Sequence, residues 1–143
     1  MASGVKVDKK SFATYDEEMK KKKKYKFMLF ELTKKFDKVK LIDLEKGDKK
    51  CDPTYEDFVK ALCVDGQPRW GIFDYEAKKK DGAVLQKLVL ISWCQDTAPL
   101  RKKMIHGSTH QSVKAKFNID TCIQASLIAE CEESCVRAKL NLS

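Results

Sequence analysis

The chain has 143 residues, of which 43% are hydrophobic and 35% charged; this suits one globular domain with its own core and excludes a disordered chain. No apolar run reaches the ~18 residues of a membrane-spanning helix, and the opening "MASGVKVDKK" has no apolar stretch of the kind a secretory leader needs, so an intracellular protein is expected. The net charge of +8 is concentrated in residues 1–50, which hold 16 lysines against 9 acidic residues, and such an excess points to an anionic partner.

In chain order, Asp8 is the expected cap of a first helix running to about Lys22, with Phe12, Tyr15 and Met19 along one side. That helix ends in Lys20, Lys21, Lys22, Lys23 and Lys24, where cations favour the negative end of the helix dipole. "KYKFMLFEL" reads as a strand, "KVKLIDLE" as its hairpin partner across "KKFDK", and Lys46 to Asp52 as a polar loop. Asp52 and Pro53 form a helix start, followed by Tyr55, Phe58, Val59 and Leu62 on one face. "RWGIFDYEA" and "VLQKLVLISW" are two further strands joined by "KKKDGA". Asp96 is the expected cap of a long helix with Pro99 in its first turn. "NIDTCIQA" then reads as a short strand and "SLIAECEESCVRAKL" as a closing helix. Helices interleaved with strand pairs predict an α/β fold, one mixed sheet of about five strands with helices on both faces, in a single domain over residues 1–143.

The six cysteines contain no CxxC pair, so reduced, mostly buried structural thiols are expected, with no metal site and no cofactor. On the long helix, Lys103, His106, His110 and Lys114 share one face, read as a solvated cationic side. Met104, Ile105, Ser108, Ser112 and Ala115 gather on another, small enough to lie closely on a sheet. Gly107 inside this helix costs about 1 kcal/mol relative to alanine. Arg101, Lys102 and Lys103 crowd the helix start, where the dipole is already positive and cations are unfavourable. Cations held there against local preference suit an acidic partner.

"DTAPLRKKMI", two further residues and "ST" resemble the actin-binding helix of the ADF/cofilin family. "MASGVKV" is similar to that family's N-terminus, "YEDFVKAL" to its second helix, and "RWGIFDYE" and "LVLISW" to its central strands. The likeness covers essentially the whole chain in order and implies a single ADF-homology domain. The chain departs from the family pattern at Gln95, His106, Gly107 and His110, and Leu85 stands where a second basic residue before Lys87 is usual.

The resemblance implies a protein that binds actin monomers and filaments, prefers ADP-actin, severs or depolymerises filaments, and performs no covalent chemistry. It implies a site common to monomer and filament on Ser3, Gly4, Val5, Arg101, Lys103, Met104, Ile105, Ser108 and Gln111. A second, filament-binding surface would comprise Lys78, Lys79, Lys80, Lys87, Glu132, Glu133 and Arg137. Ser3 would be the inhibitory phosphorylation site, served by a kinase and a phosphatase. Lys102, Lys114 and Lys116 would meet phosphoinositide headgroups, and Lys20 to Lys24 would be a nuclear-import signal in an otherwise cytoplasmic monomer. Three other readings compete. An enzyme is disfavoured because Gly107 sits between His106 and His110 where a metalloprotease motif needs glutamate. A nucleic-acid module lacks aromatic-interleaved basic strands, so no specific nucleic acid is expected. A coactosin-like protein that decorates filaments without severing shares the fold.

Overall fold

Alternating apolar side chains decide the architecture. In the strand Phe27–Leu32, Phe27 and Leu29 enter one buried cluster while Met28 and Phe30 enter another. In Arg69–Lys78, Trp70 and Ile72 side with Met28, while Phe73 and Tyr75 side with Phe27. A sheet apolar on both faces must be covered on both. The computed structural model describes residues 5–142 and shows that arrangement.

The elements are β1 (Lys6–Val7), α1 (Lys9–Thr14), β2 (Phe27–Leu32), β3 (Lys38–Ile42), α2 (Tyr55–Leu62), β4 (Arg69–Lys78), β5 (Val84–Trp93), α3 (Leu100–Phe117), β6 (Thr121–Ala125) and α4 (Glu133–Lys139). The strands form one mixed sheet in the order β1-β3-β2-β4-β5-β6. The four inner strands are antiparallel, and β1 and β6 add parallel strands at the two edges. Ser11 of α1, Tyr15 of the segment that continues it, and Val113 and Phe117 of α3 are buried on the Met28 side, whereas Tyr55, Phe58 and Leu62 of α2 and Val136 of α4 close the Phe27 side.

The expected α/β fold is therefore present, with a sixth strand that is too short for its pattern to register. Five boundaries differ from expectation. Asp8 does cap α1, its carboxylate accepting from the Ser11 amide at 3.1 Å. The helix then widens into a π-helix over Tyr15–Lys21, with the Lys22 amide bonded to the Glu17 carbonyl. Thr54, not Asp52, caps α2 through a reciprocal box with Asp57. The expected polar loop contains two 3₁₀ turns, Leu44–Gly47 and Lys49–Cys51. Pro99 rather than Asp96 precedes α3, and no side chain caps it. The closing helix is broken into a 3₁₀ turn, Ile128–Cys131, and α4. The break has a cause: the Tyr55 hydroxyl donates to the Cys131 carbonyl, the group that would continue the helix, and the Cys135 amide bonds to Glu132 instead.

The cysteines are free, as expected, but less buried than expected: only Cys131 is fully buried, Cys51 is exposed and four lie between. Gly71 is where α2 presses closest on the sheet. A Cβ there would lie 2.6 Å from the Phe58 ring and 3.1 Å from Leu62 Cδ1. Gly71→Ala should therefore destabilise the fold by ~1–3 kcal/mol through overpacking, read by urea unfolding; an unchanged midpoint would contradict this packing.

Candidate functional site

The long helix turns its faces the other way from the sequence reading. His106, Thr109, His110, Val113 and Phe117 are buried against the sheet, while Ser108, Ser112 and Ala115 face solvent. Polarity misled because both histidines find partners on or beside a single core residue. The His106 ring stacks on Trp70 at 3.9 Å and 16°, and its Nε2 lies 2.8 Å from Ser92 Oγ. Trp70 Nε1 donates to His110 Nδ1 at 3.2 Å. Indole is only a donor, so His110 is the neutral Nε2–H tautomer, and that hydrogen points toward Cys122 Sγ at 3.6 Å. Burial, and then the proximity of His110, hold the His106 pKa down at about 3. Burial, and then the Lys114 ammonium, also depress His110.

With its histidines turned inward, α3 shows solvent a ridge of Arg101, Met104, Ser108 and Gln111, joined at the helix start by Leu100. Leu100 is 70% and Met104 65% exposed, unusual for apolar residues on a helix that also has a buried face. Ile105 is half-buried against the core and contributes less. The three cations of the first turns are held by uncharged partners. Arg101 lies 5.1 Å over the Phe36 ring, Lys102 donates to Gln67 Oε1 at 2.9 Å, and Lys103 donates to the Asp96 carbonyl at 3.0 Å. Among the described residues none of them forms an ion pair. The positive helix end is therefore uncompensated and sits beside exposed apolar side chains.

Val5 is buried in the core and packs with the α1–α3 cluster, so its side chain anchors the N-terminal segment and presents no surface. Ser3 and Gly4 lie outside the described residues. Sequence reading missed Leu127 and Ile128, which are 64% and 53% exposed. Their turn is fixed by Glu130, whose carboxylate accepts from the Ser126 and Leu127 amides at 2.9 and 3.0 Å. A groove of about 350 Å³ runs between α3 and this segment, lined by Lys103, Gly107, Gln111, Gln124 and Ser126 among others. Two adjacent large apolar residues after Ser126, inside a presumed amphipathic helix, were the available signal.

The second expected surface is brought together in part. Lys78, Lys79, Lys80 and Lys87 are exposed on the β4–β5 hairpin. Lys79 and Lys80 face the chain's end across a groove of about 480 Å³ lined by Leu140, Asn141 and Leu142. Glu132 is exposed, but Glu133 and Arg137 are engaged at home. The Tyr75 hydroxyl donates to Glu133 at 2.7 Å, while Arg137 donates to that hydroxyl at 3.3 Å and to the Leu142 carbonyl at 3.2 Å. Of the basic cluster, Lys21 pairs with Asp16 and Glu17, Lys22 and Lys24 pair with Glu18, and Lys23 bonds to Gln86. Lys114 is half-buried, and Lys116 lies 4.5 Å over the Phe12 ring. Among the described residues no cluster of side chains could hold a metal ion, and no helix is long and apolar enough to cross a membrane.

Sheet order, helix placement and the cation-bearing long helix together define an ADF-homology fold. The family described as cofilin/tropomyosin-type actin-binding protein matches residues 4–141. The chain belongs to the ADF/cofilin family. Among its relatives, actin-depolymerizing factor 2, isoform c, of Caenorhabditis elegans is 31% identical over 98% of this chain and 96% of its own. The crystal structure of Streptomyces griseoflavus cofilin superposes with a TM-score of 0.80 at 26% identity, covering 95% of this chain and 96% of that one. Human coactosin-like protein shares the fold at a TM-score of 0.76 and 16% identity, covering 97% of this chain and 99% of that one.

Two outcomes follow from the geometry of α3. A Cβ at Gly107 would meet nothing within 4 Å, so Gly107→Ala should stabilise the protein by ~0.5–1 kcal/mol; a fall in thermal midpoint would show that the groove needs the glycine. His106 titrates near 6.5 when unfolded but at about 3 when folded. Between those values the unfolded chain binds a proton that the folded chain refuses, so stability falls as pH drops below 6.5, by up to ~1.4 kcal/mol per pH unit. Urea unfolding from pH 7 to 5, where carboxylates remain ionised, should give a shallower slope for His106→Phe than for wild type; equal slopes would contradict this.

Proposed function

We propose that this chain binds actin monomers and filaments, preferring the ADP-bound form, through the outer ridge of α3. The contact comprises Ser3, Gly4 and Val5 with Arg101, Lys103, Met104, Ile105, Ser108 and Gln111, and the exposed pair Leu127 and Ile128 extends it. Val5 acts by fixing the N-terminal segment beside α3. The observation that carries this reading is the uncompensated first turn of α3: cations without carboxylate partners beside Met104 at 65% exposure. A charge-assisted bond from Arg101 or Lys103 to an acidic partner contributes about 1.5–3 kcal/mol, and Met104 supplies apolar area beside it.

Filament severing and depolymerisation use the hairpin surface of Lys78, Lys79, Lys80 and Lys87 with Glu132, Glu133 and Arg137. The internal bonds of Glu133 and Arg137 favour a weaker second contact. This keeps a coactosin-like protein, which binds filaments without severing them, as the second reading. Phosphoinositide headgroups meet Lys102, Lys114 and Lys116, each basic residue near an anionic surface contributing about 1 kcal/mol. Lys20 to Lys24 serve nuclear import, and the protein works as a cytoplasmic monomer without a cofactor or specific nucleic acid. Phosphorylation of Ser3 would add about −1.5 to −2 charge beside a contact that offers cations to an acidic partner, and so opposes binding.

Arg101→Ala combined with Lys103→Ala should abolish pelleting with actin filaments and leave thermal unfolding nearly unchanged, since neither side chain forms an ion pair among the described residues. Unaltered pelleting of that double variant would overturn the assignment. Filament imaging separates the two readings, because pelleting without shortening supports the coactosin-like one. Ser3→Glu should weaken binding, and wild-type affinity for that variant would contradict the switch.

A further inference from the structure

Cys63 and Cys131 are 68 positions apart in the chain, yet their sulfurs lie 3.5 Å apart. Cys63 is the half-buried residue that ends α2, and Cys131 is the fully buried last residue of the 3₁₀ turn Ile128–Cys131. No other cysteine pair is in contact among the described residues: Cys51 and Cys135 bond to the carbonyls of Glu45 and Ala129, and Cys122 lies against His110. A disulfide places its sulfurs about 2.05 Å apart, so the pair must close by about 1.5 Å.

The two environments divide the work of oxidation. Cys63 is the less buried of the two residues, and its bond with the Cys131 thiol favours the thiolate and lowers its pKa. The same contact, and then burial, hold the Cys131 thiol well above its ordinary range, so it stays protonated until an electrophilic sulfur is presented to it. Tyr55, bonded to the Cys131 carbonyl, fixes the turn that carries the second sulfur.

We propose that Cys63 and Cys131 are a reversible redox pair, converted by a hydroperoxide to a disulfide that clips the turn Ile128–Cys131, with Leu127 at its start, to the end of α2. The Cys63 thiolate attacks the peroxide, an S–O bond forms as the O–O bond breaks, and the departing hydroxide takes a proton to leave as water. The Cys131 sulfur then attacks the resulting sulfenic acid, giving up its proton as the S–O bond breaks and a second water leaves. Two thiols and one hydrogen peroxide become one disulfide and two waters, with two electrons passing from sulfur to peroxide. The clip itself is independent of any partner; its effect on actin rests on the proposed function, because the clipped turn carries Leu127 and Ile128.

The test is mild treatment of the folded chain with hydrogen peroxide, followed by alkylation and peptide mapping. A cross-linked peptide joining residues 63 and 131, reversed by dithiothreitol, is expected. Cys131→Ala should instead leave Cys63 as a sulfenic acid captured by dimedone. Cys63→Ala, at the more tolerant site, should leave Cys131 unoxidised while folded. Oxidation of other cysteines without a link between 63 and 131, or conversion of wild-type Cys63 straight to sulfinic acid, would overturn the proposal. A mapped link that leaves filament pelleting equal in oxidised and reduced chains would overturn the clip as a control of the Leu127 turn. No pelleting in either state would count against the actin reading instead, with the pair still supported by its mapped link.

Discussion

Trp70 is the residue on which the placement of α3 depends. It is fully buried in β4, stacks under His106 and donates its indole hydrogen to His110. Those contacts fix the rotation of the long helix about its own axis to within a residue, because a helix turned by one position either way would bring Ile105 or Gly107 over the indole in place of His106. Val113 and Phe117 continue the same face, each fully buried apolar side chain adding roughly 1.5–3 kcal/mol. Everything the helix offers to a partner follows from that rotation. With His106 and His110 inward, the outward ridge is Arg101, Met104, Ser108 and Gln111.

Buried polar groups make this orientation specific as well as stable. An apolar face could slide on the sheet at little cost, whereas the Trp70 donor meets His110 Nδ1 and the Ser92 hydroxyl meets His106 Nε2 in a single geometry, with His106 Nδ1 left buried without a hydrogen-bond partner. The cost is carried by the imidazoles, which must remain neutral inside the protein. The same economy appears at the helix start. Cations beside the positive end of a helix dipole are unfavourable by ~0.3–1 kcal/mol each, and here they are met only by a carbonyl, an amide and an aromatic ring. A surface left in that condition gains from an acidic neighbour more than a neutralised one would.

The fold was largely legible because its cause is periodic. The apolar runs in "KFMLFEL" and "RWGIFDYE" announced strands, the interleaving of helices with strand pairs announced a sheet covered on both faces, and Asp8 announced the start of α1. The faces of α3 were misread because histidine was treated as a surface residue, and nothing local indicates that a tryptophan some forty positions earlier will receive both rings. The broken closing helix was hidden for a similar reason, since the Tyr55 hydroxyl that removes the Cys131 carbonyl comes from a distant helix. Candidate site residues such as Arg101 and Met104 were legible through resemblance to a family, whereas Leu127 and Ile128 emerge only once the turn at Glu130 exposes them.

On the proposed function, the outward ridge of α3, set by the packing on Trp70, is the surface that meets actin. Hydroxyl-radical footprinting of the chain with and without ADP-actin monomers tests it most directly, because Leu100, Met104 and Leu127 are exposed, oxidisable reporters and Val84 on the distant hairpin is an exposed control. Strong protection of Met104, Leu100 and Leu127 with Val84 unchanged is expected. Protection confined to the hairpin, with Met104 as reactive as in the free chain, would contradict it.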